Sequence, residues 1–184
     1  MTGKTLRHSC AVAAFLAGVG ISLPVWADTL DPLFERLQTV EPGEYKPIED
    51  KIWQEWAKSG SPAMDLLLER GRAALEDDRV EEAIEHFTAL TDHAPDFAQG
   101  WHARATAYYE AELYGPALSD LQVALRLEPR HFGALSGLAV ILQDLDRPAQ
   151  ALEVLRAVEA IHPHRENLQE RIDQLEKLTA GQRI

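Results

Sequence analysis

Three columns of small or cyclic residues recur in this 184-residue chain at a spacing of 34: Gly71, Ala105 and Ala139; Ala83, Ala117 and Ala151; Pro95, Pro129 and Pro163. A fixed period of that length means stacked supersecondary units, each too small to bury its own apolar face. Larger apolar residues fill further columns in the same register: Leu67, Trp101 and Leu135; Ala74, Tyr108 and Leu142; Phe87, Leu121 and Leu155; Leu90, Ala124 and Val158. The units are residues 64–97, 98–131 and 132–165. Within each, Leu67, Gly71 and Ala74 and their counterparts lie at i, i+4, i+7, one face of a helix, and Ala83, Phe87 and Leu90 repeat that spacing in a second helix. Turns are predicted at Asp77-Asp78, at Tyr114-Gly115-Pro116 and at Asp146-Arg147-Pro148. The proline columns end each second helix, because proline has no N–H to continue it.

The stretch GWHARATAYYEAELYGPALSDLQVALRLEP, residues 100–129, carries Trp101, Tyr108, Ala117, Ala124 and Pro129 in register. It resembles the tetratricopeptide repeat (TPR), and the resemblance extends over residues 64–165. It implies an all-α fold: a right-handed superhelical solenoid of three helix-turn-helix repeats, with an N-terminal helical pair and a C-terminal capping helix. Arg70 and Arg104 depart from it, standing where the family usually has leucine. A partly buried arginine there needs a carboxylate, and Asp120 on the adjacent helix is the candidate for Arg104; alternatively the stem packs while the guanidinium reaches water.

A solenoid needs covered ends. Leu168, Ile172, Leu175 and Leu178 form one stripe of a C-terminal capping helix within residues 166–184. Residues 28–63 supply two more helices, with stripes of Leu33, Phe34, Leu37 and Val40 and of Ile48, Ile52, Trp53 and Trp56. The expected role of this pair is to dock on the first repeat and cap it; binding a partner through the two tryptophans, including self-association, is the alternative.

Lys4 and Arg7 precede an apolar run from Cys10 to Leu23, followed by Val25 and Ala27. That is the layout of a secretory signal peptide cleaved after Ala27, and the run falls short of the roughly 20 residues of a spanning helix. No later segment is apolar for long enough to span, so no stable membrane insertion is expected after cleavage. Residues 28–184 contain no cysteine, which excludes disulfides and thiol catalysis. The formal charge of −12 becomes −14 without residues 1–27. Such a surface repels nucleic acid and anionic lipid and favours neutral or basic partners. DKIWQEWAKSGS together with LEPRHFGAL also resembles small exported TPR proteins of Gram-negative bacteria, alphaproteobacteria in particular, which implies a periplasmic or secreted address.

Phosphate loops, paired zinc-type cysteines and nucleophile elbows are all missing from the sequence, so a non-enzymatic protein with no cofactor is expected. The competing reading is a metal-binding or enzymatic role for His131, His162 and His164, which fall at turns ending the second and third units. Against it, the spacing is not a ligand pattern, and LEPRHFGALSG puts Arg130 and His131 at an interhairpin turn, where exposure is the simpler expectation. The TPR resemblance implies that the first helix of each unit lines a concave groove for a peptide or helix. Its groove positions fall on Leu68, Arg72 and Leu75, on His102, Thr106 and Tyr109, and on Ser136, Val140 and Gln143. Gly133 and Gly137, four apart on the third unit's first helix, would let a partner approach the backbone. The family's carboxylate clamp is not matched, because Leu68, Arg72, Ala103, Gly133 and Gly137 stand at its places. The expected function is therefore an adaptor or assembly factor gripping a protein partner.

Overall fold

The computed structural model describes residues 27–181, in nine α-helices. The expected signal segment lies outside the described residues, apart from Ala27, which begins the first helix. The helices are α1 (Ala27–Thr39), α2 (Lys46–Trp56), α3 (Pro62–Glu76), α4 (Val80–His93), α5 (Ala98–Glu110), α6 (Tyr114–Leu127), α7 (Phe132–Asp144), α8 (Pro148–Ile161) and α9 (Leu168–Gly181). Helices α3 to α8 form three hairpins in the expected register. α3 packs on α5 and α5 on α7, but no comparable contact joins α4 to α6 or α6 to α8. The stack therefore curves with the first helices on its inner, concave side.

The small-residue columns lie where the two helices of a hairpin approach. In the first hairpin a Cβ on Gly71 would overlap the ring of the fully buried Phe87. The next hairpins place Ala105 and Ala139 in that column with Leu121 and Leu155, a smaller facing residue. The turns repeat as faithfully as the helices. Asp78, Glu112 and Asp146 each take a left-handed conformation, with φ of 58°, 59° and 54°. The residue after each donates its N–H five residues back: Arg79 to Ala74, Leu113 to Tyr108 and Arg147 to Leu142, all at 2.8 Å. This 6→1 bond satisfies a carbonyl that the helix end leaves unpaired. The second turn comes earlier than Tyr114-Gly115-Pro116. α6 starts at Tyr114 and keeps Pro116 in its first turn, where a missing N–H costs nothing.

Arg104 meets Asp120 across the second hairpin, as its position suggested. Its Nε and Nη2 donate to the two carboxylate oxygens at 2.7 and 2.9 Å, and Nη1 donates to Thr91 Oγ1 at 2.8 Å. The bond to Asp120 holds the guanidinium pKa above its ordinary value against the effect of burial. Arg70, the other departure from the leucine column, is exposed on the outer side of the first hairpin, where no preceding unit covers it.

The ends correct two expectations. Leu168, Ile172 and Leu175 of α9 are buried against the third hairpin, but Leu178 is 51% exposed. More consequentially, α1 and α2 do not cap the first repeat. Leu30, Phe34, Leu37, Ile48, Ile52 and Trp56 share one core with Phe132, Leu155, Val158 and Ile172, at the third hairpin. Gln38 Nε2 donates to the carbonyl of Ala160 on α8, and Arg130 Nη1 to Asp31 at 2.7 Å. An apolar stripe states that a helix face is covered; it does not state by which neighbour.

Candidate functional site

Because α1 lies at the third hairpin and α3 begins the first, α2 must run back across the stack. At its start Tyr45 meets the edge of His162, ring centroids 5.0 Å apart. One turn from its end, Trp53 packs against Phe132 and His131, at 5.3 and 5.6 Å, and reaches His102 of the second hairpin at 5.9 Å. Trp56 stacks flat on His131, at 4.1 Å and 9°. Beyond α2, Ser59 donates from its hydroxyl and its N–H to Asp65 on α3, at 2.5 and 2.7 Å. The helix is thus a strap along one edge of the concave face, from the third unit to the first.

Trp53 fits there because Gly133 has no side chain, for a Cβ on Gly133 would overlap the indole. The glycine proposed as an open approach for a partner is covered by the chain itself. His131 is equally unlike the exposed turn residue expected: it is fully buried. Its Nδ1 accepts from the N–H of Ala134 at 3.1 Å, capping α7. The proton is therefore on Nε2, which donates to Gln99 Oε1 at 3.1 Å, and Gln99 Nε2 donates to His102 Nδ1 at 3.4 Å. His162 is also fully buried, its nitrogens lack hydrogen-bond partners among the described residues, and Glu49 Oε1 lies 3.9 Å away.

Burial keeps all three imidazoles neutral. It pushes His102 and His162 down to about 4, with Arg165 adding to both and Arg72 to His102. His131 lies well below its ordinary value for the same reason, with His102 adding. Arg165 lies over the Phe132 ring at 5.1 Å, and desolvation lowers its pKa. Positive charge is disfavoured beneath this strap.

Beside the strap the concave face stays open. A cleft of about 120 Å³ between α5 and α7 is lined by His102, Ala105, Thr106 and Tyr109 on one wall and by Gly137, Val140 and Ile141 on the other, with Leu121 as its floor. Gly137 sits where an added Cβ would meet only Leu121, at 3.8 Å. Tyr109 donates to Asp144 Oδ2 at 3.0 Å, which ties the ends of α5 and α7 together.

Of the groove positions named from sequence, His102, Thr106, Tyr109, Gly137 and Val140 come together in this cleft. Leu68 does not reach it, being buried in the core between the first and second hairpins with Ala74, Ala103 and Ala107. Leu75 is half-buried against the same core, and Arg72 is half-buried between Glu69 and Glu76, its pKa lowered chiefly by desolvation. The hydroxyls of Thr106 and Ser136 donate to the carbonyls of His102 and Phe132, and the Gln143 amide to that of Ala139. Each stays within its own helix, so the cleft is more apolar than the residue names suggest.

A metal site fares worse. Among the described residues no group of three His, Cys, Asp or Glu side chains is placed to hold an ion. Both nitrogens of His131 are already hydrogen-bonded, and His162 faces Tyr45, Phe132 and Glu49. Sequence reasoning passed over Gln99, which links His131 to His102. The available signal was an excess of aromatic residues, Trp53, Trp56 and Phe132, with no partner inside the repeat pattern.

No protein-family model matches the chain. A TPR repeat-containing protein of Rhizobium etli is 34% identical over 155 residues, covering 84% of this chain and 76% of the relative. Among solved structures, the first TPR of Spaghetti (RPAP3) bound to an HSP90 peptide superposes with a TM-score of 0.62 at 22% identity, covering 65% of this chain and 98% of that one. The Sgt2 TPR domain of Aspergillus fumigatus gives 0.62 at 21%, covering 67% and 84%. MamA gives 0.60 at 17%, covering 73% and 81%. At these identities the solved structures establish the fold. With three hairpins in one register and that relative matched over most of both lengths, this chain belongs to the TPR repeat-containing proteins.

Proposed function

We propose that this chain is a non-enzymatic protein-interaction module that receives a peptide or helix of a partner on the open part of its concave face. The observation that carries this reading is the apolar cleft between α5 and α7, bounded by Tyr109 and Val140 and deepened by Gly137. A concave apolar site with few polar groups is suited to a side chain of another protein. Two structural neighbours lend support: the RPAP3 domain carries an HSP90 peptide, and the TPR2B domain of yeast Sti1 is in a complex with pHsp70. In this reading residues 1–27 direct export, and the module works in the periplasm or outside the cell as an adaptor or assembly factor.

A photo-crosslinking residue at Val140, in the cleft, compared with one at Ala149, exposed on α8, tests the site. Adducts with partner protein are expected from position 140 alone and are lost when Gly137→Trp fills the cleft with helicity unchanged. Equal adducts from both positions would remove the concave face from the account. Residence is tested separately, by fractionating cells that express the chain with a reporter fused after residue 184.

A further inference from the structure

Each inner helix carries an acid at the same register position near its end: Glu76 of α3, Glu110 of α5 and Asp144 of α7, successive members 34 apart. All three are exposed. Asp144 stands beside the cleft, accepting the hydroxyl of its wall residue Tyr109 at 3.0 Å, and the repeat register puts Glu110 and Glu76 at the matching positions of α5 and α3. Asp144, with Glu110 adding, holds that phenol above its ordinary pKa. The opposite edge of the concave face is closed by α2 over Gly133. Of the two cations that act on the wall residue His102, Arg72 has Glu76 beside it and Arg165 is half-buried over the Phe132 ring. The open surface is therefore an apolar slot with a row of carboxylates along one side.

The spacing of that row restricts what lies along it. Packed helices stand roughly 8–10 Å apart, so neighbouring carboxylates on the contiguous helices α3, α5 and α7 are separated by about that distance. A polyproline II chain rises about 3.1 Å per residue with three residues per turn, so every third side chain returns to one side after roughly 9 Å. A β-strand alternates with a period of two and does not match the row in this way.

Resting on the concave-face reading above, we propose that the occupant is a polyproline II-like segment of a basic partner, with lysine or arginine at every third residue against Glu76, Glu110 and Asp144 and an aliphatic side chain in the cleft. The carboxylates steer and orient this segment, while the cleft supplies the apolar contact. Nucleic acid and anionic lipid are repelled by the same row.

The test uses the full chain and synthetic fluorescent peptides with a central leucine and alanine or proline elsewhere. One peptide has lysine at every third position, a second has glutamine there and a third glutamate. Fluorescence anisotropy at low salt is expected to rank lysine above glutamine above glutamate, with roughly tenfold between the first two. That gap should narrow in high salt and in a Glu110→Gln/Asp144→Asn variant whose helicity and melting temperature are checked against the parent chain. Gly137→Trp should weaken all three peptides. Equal binding of all three, still abolished by Gly137→Trp, would overturn the basic partner and leave the groove standing. Absence of binding by every peptide, or binding that Gly137→Trp leaves unchanged, would overturn the groove reading and this proposal together.

Discussion

Trp53 of α2 lies over Gly133 of α7 so closely that a single added carbon would overlap the indole. A helix that precedes the repeats is thereby seated on the repeats' concave side. Gly133→Ala should push the indole away and destabilise the chain by about 1–3 kcal/mol, the usual penalty of overpacking. Urea unfolding together with tryptophan fluorescence checks this; an unchanged midpoint and unchanged emission would mean that α2 does not sit where described.

A second tight contact is internal to the first hairpin. Gly71→Ala should cost about 1–3 kcal/mol, because the added Cβ would overlap the ring of Phe87, which is fully buried. Phe87→Leu, which restores the alanine and leucine combination of the second and third hairpins, should recover part of the loss. Denaturation of the single and double variants measures the coupling directly.

The repeat itself, its hairpins and the end of every second helix were legible in the sequence, because side-chain size and proline act locally and recur. Arg104 and Asp120 were also legible, since a charge in an apolar column demands a partner on the facing helix. The seat of α2 was not. Its stripe of Ile48, Ile52, Trp53 and Trp56 fits any apolar surface, and the surface it uses is built from residues of two hairpins, Gln99, His102, His131 and Phe132. His131 and His162 follow the proline-marked helix ends as turn residues do, and only the strap across them makes them interior. Leu68 misled for a related reason: its column faces the groove in general, but here the side chain turns into the core shared with Ala103 and Ala107.

Acid should loosen the seat of the strap. His102, His131 and His162 have folded-state pKa values below their unfolded values. The unfolded chain therefore takes up protons first as pH falls, and stability declines below about pH 6.5 until the folded-state values near 4 are reached. Each such group contributes about 1.4 kcal/mol per pH unit, so the three together should cost about 4 kcal/mol by pH 5.5. His162→Phe removes one titrating group and should make the slope of stability against pH about a third shallower. A flat profile between pH 7.5 and 5.5 would show that these imidazoles are not buried neutral.

Strain in the turns can be relieved without touching the core. Glu112 holds a φ of 59°, which costs an L-residue roughly 1 kcal/mol and glycine almost nothing. Because Glu112 is exposed, Glu112→Gly should raise stability by about 1 kcal/mol, seen as a higher melting temperature. An unchanged or lower value would mean that the turn is not left-handed.

The division of the concave face into a strapped edge and an open cleft is tested most directly by NMR. The full chain, labelled at methyl groups and at the indole N–H, is titrated with the lysine and leucine peptide. Shifts at Leu121, Val140 and Ile141, with the indole of Trp53 unmoved, are the predicted result. Movement of the Trp53 and Trp56 indoles while those three methyl residues stay fixed would contradict the account.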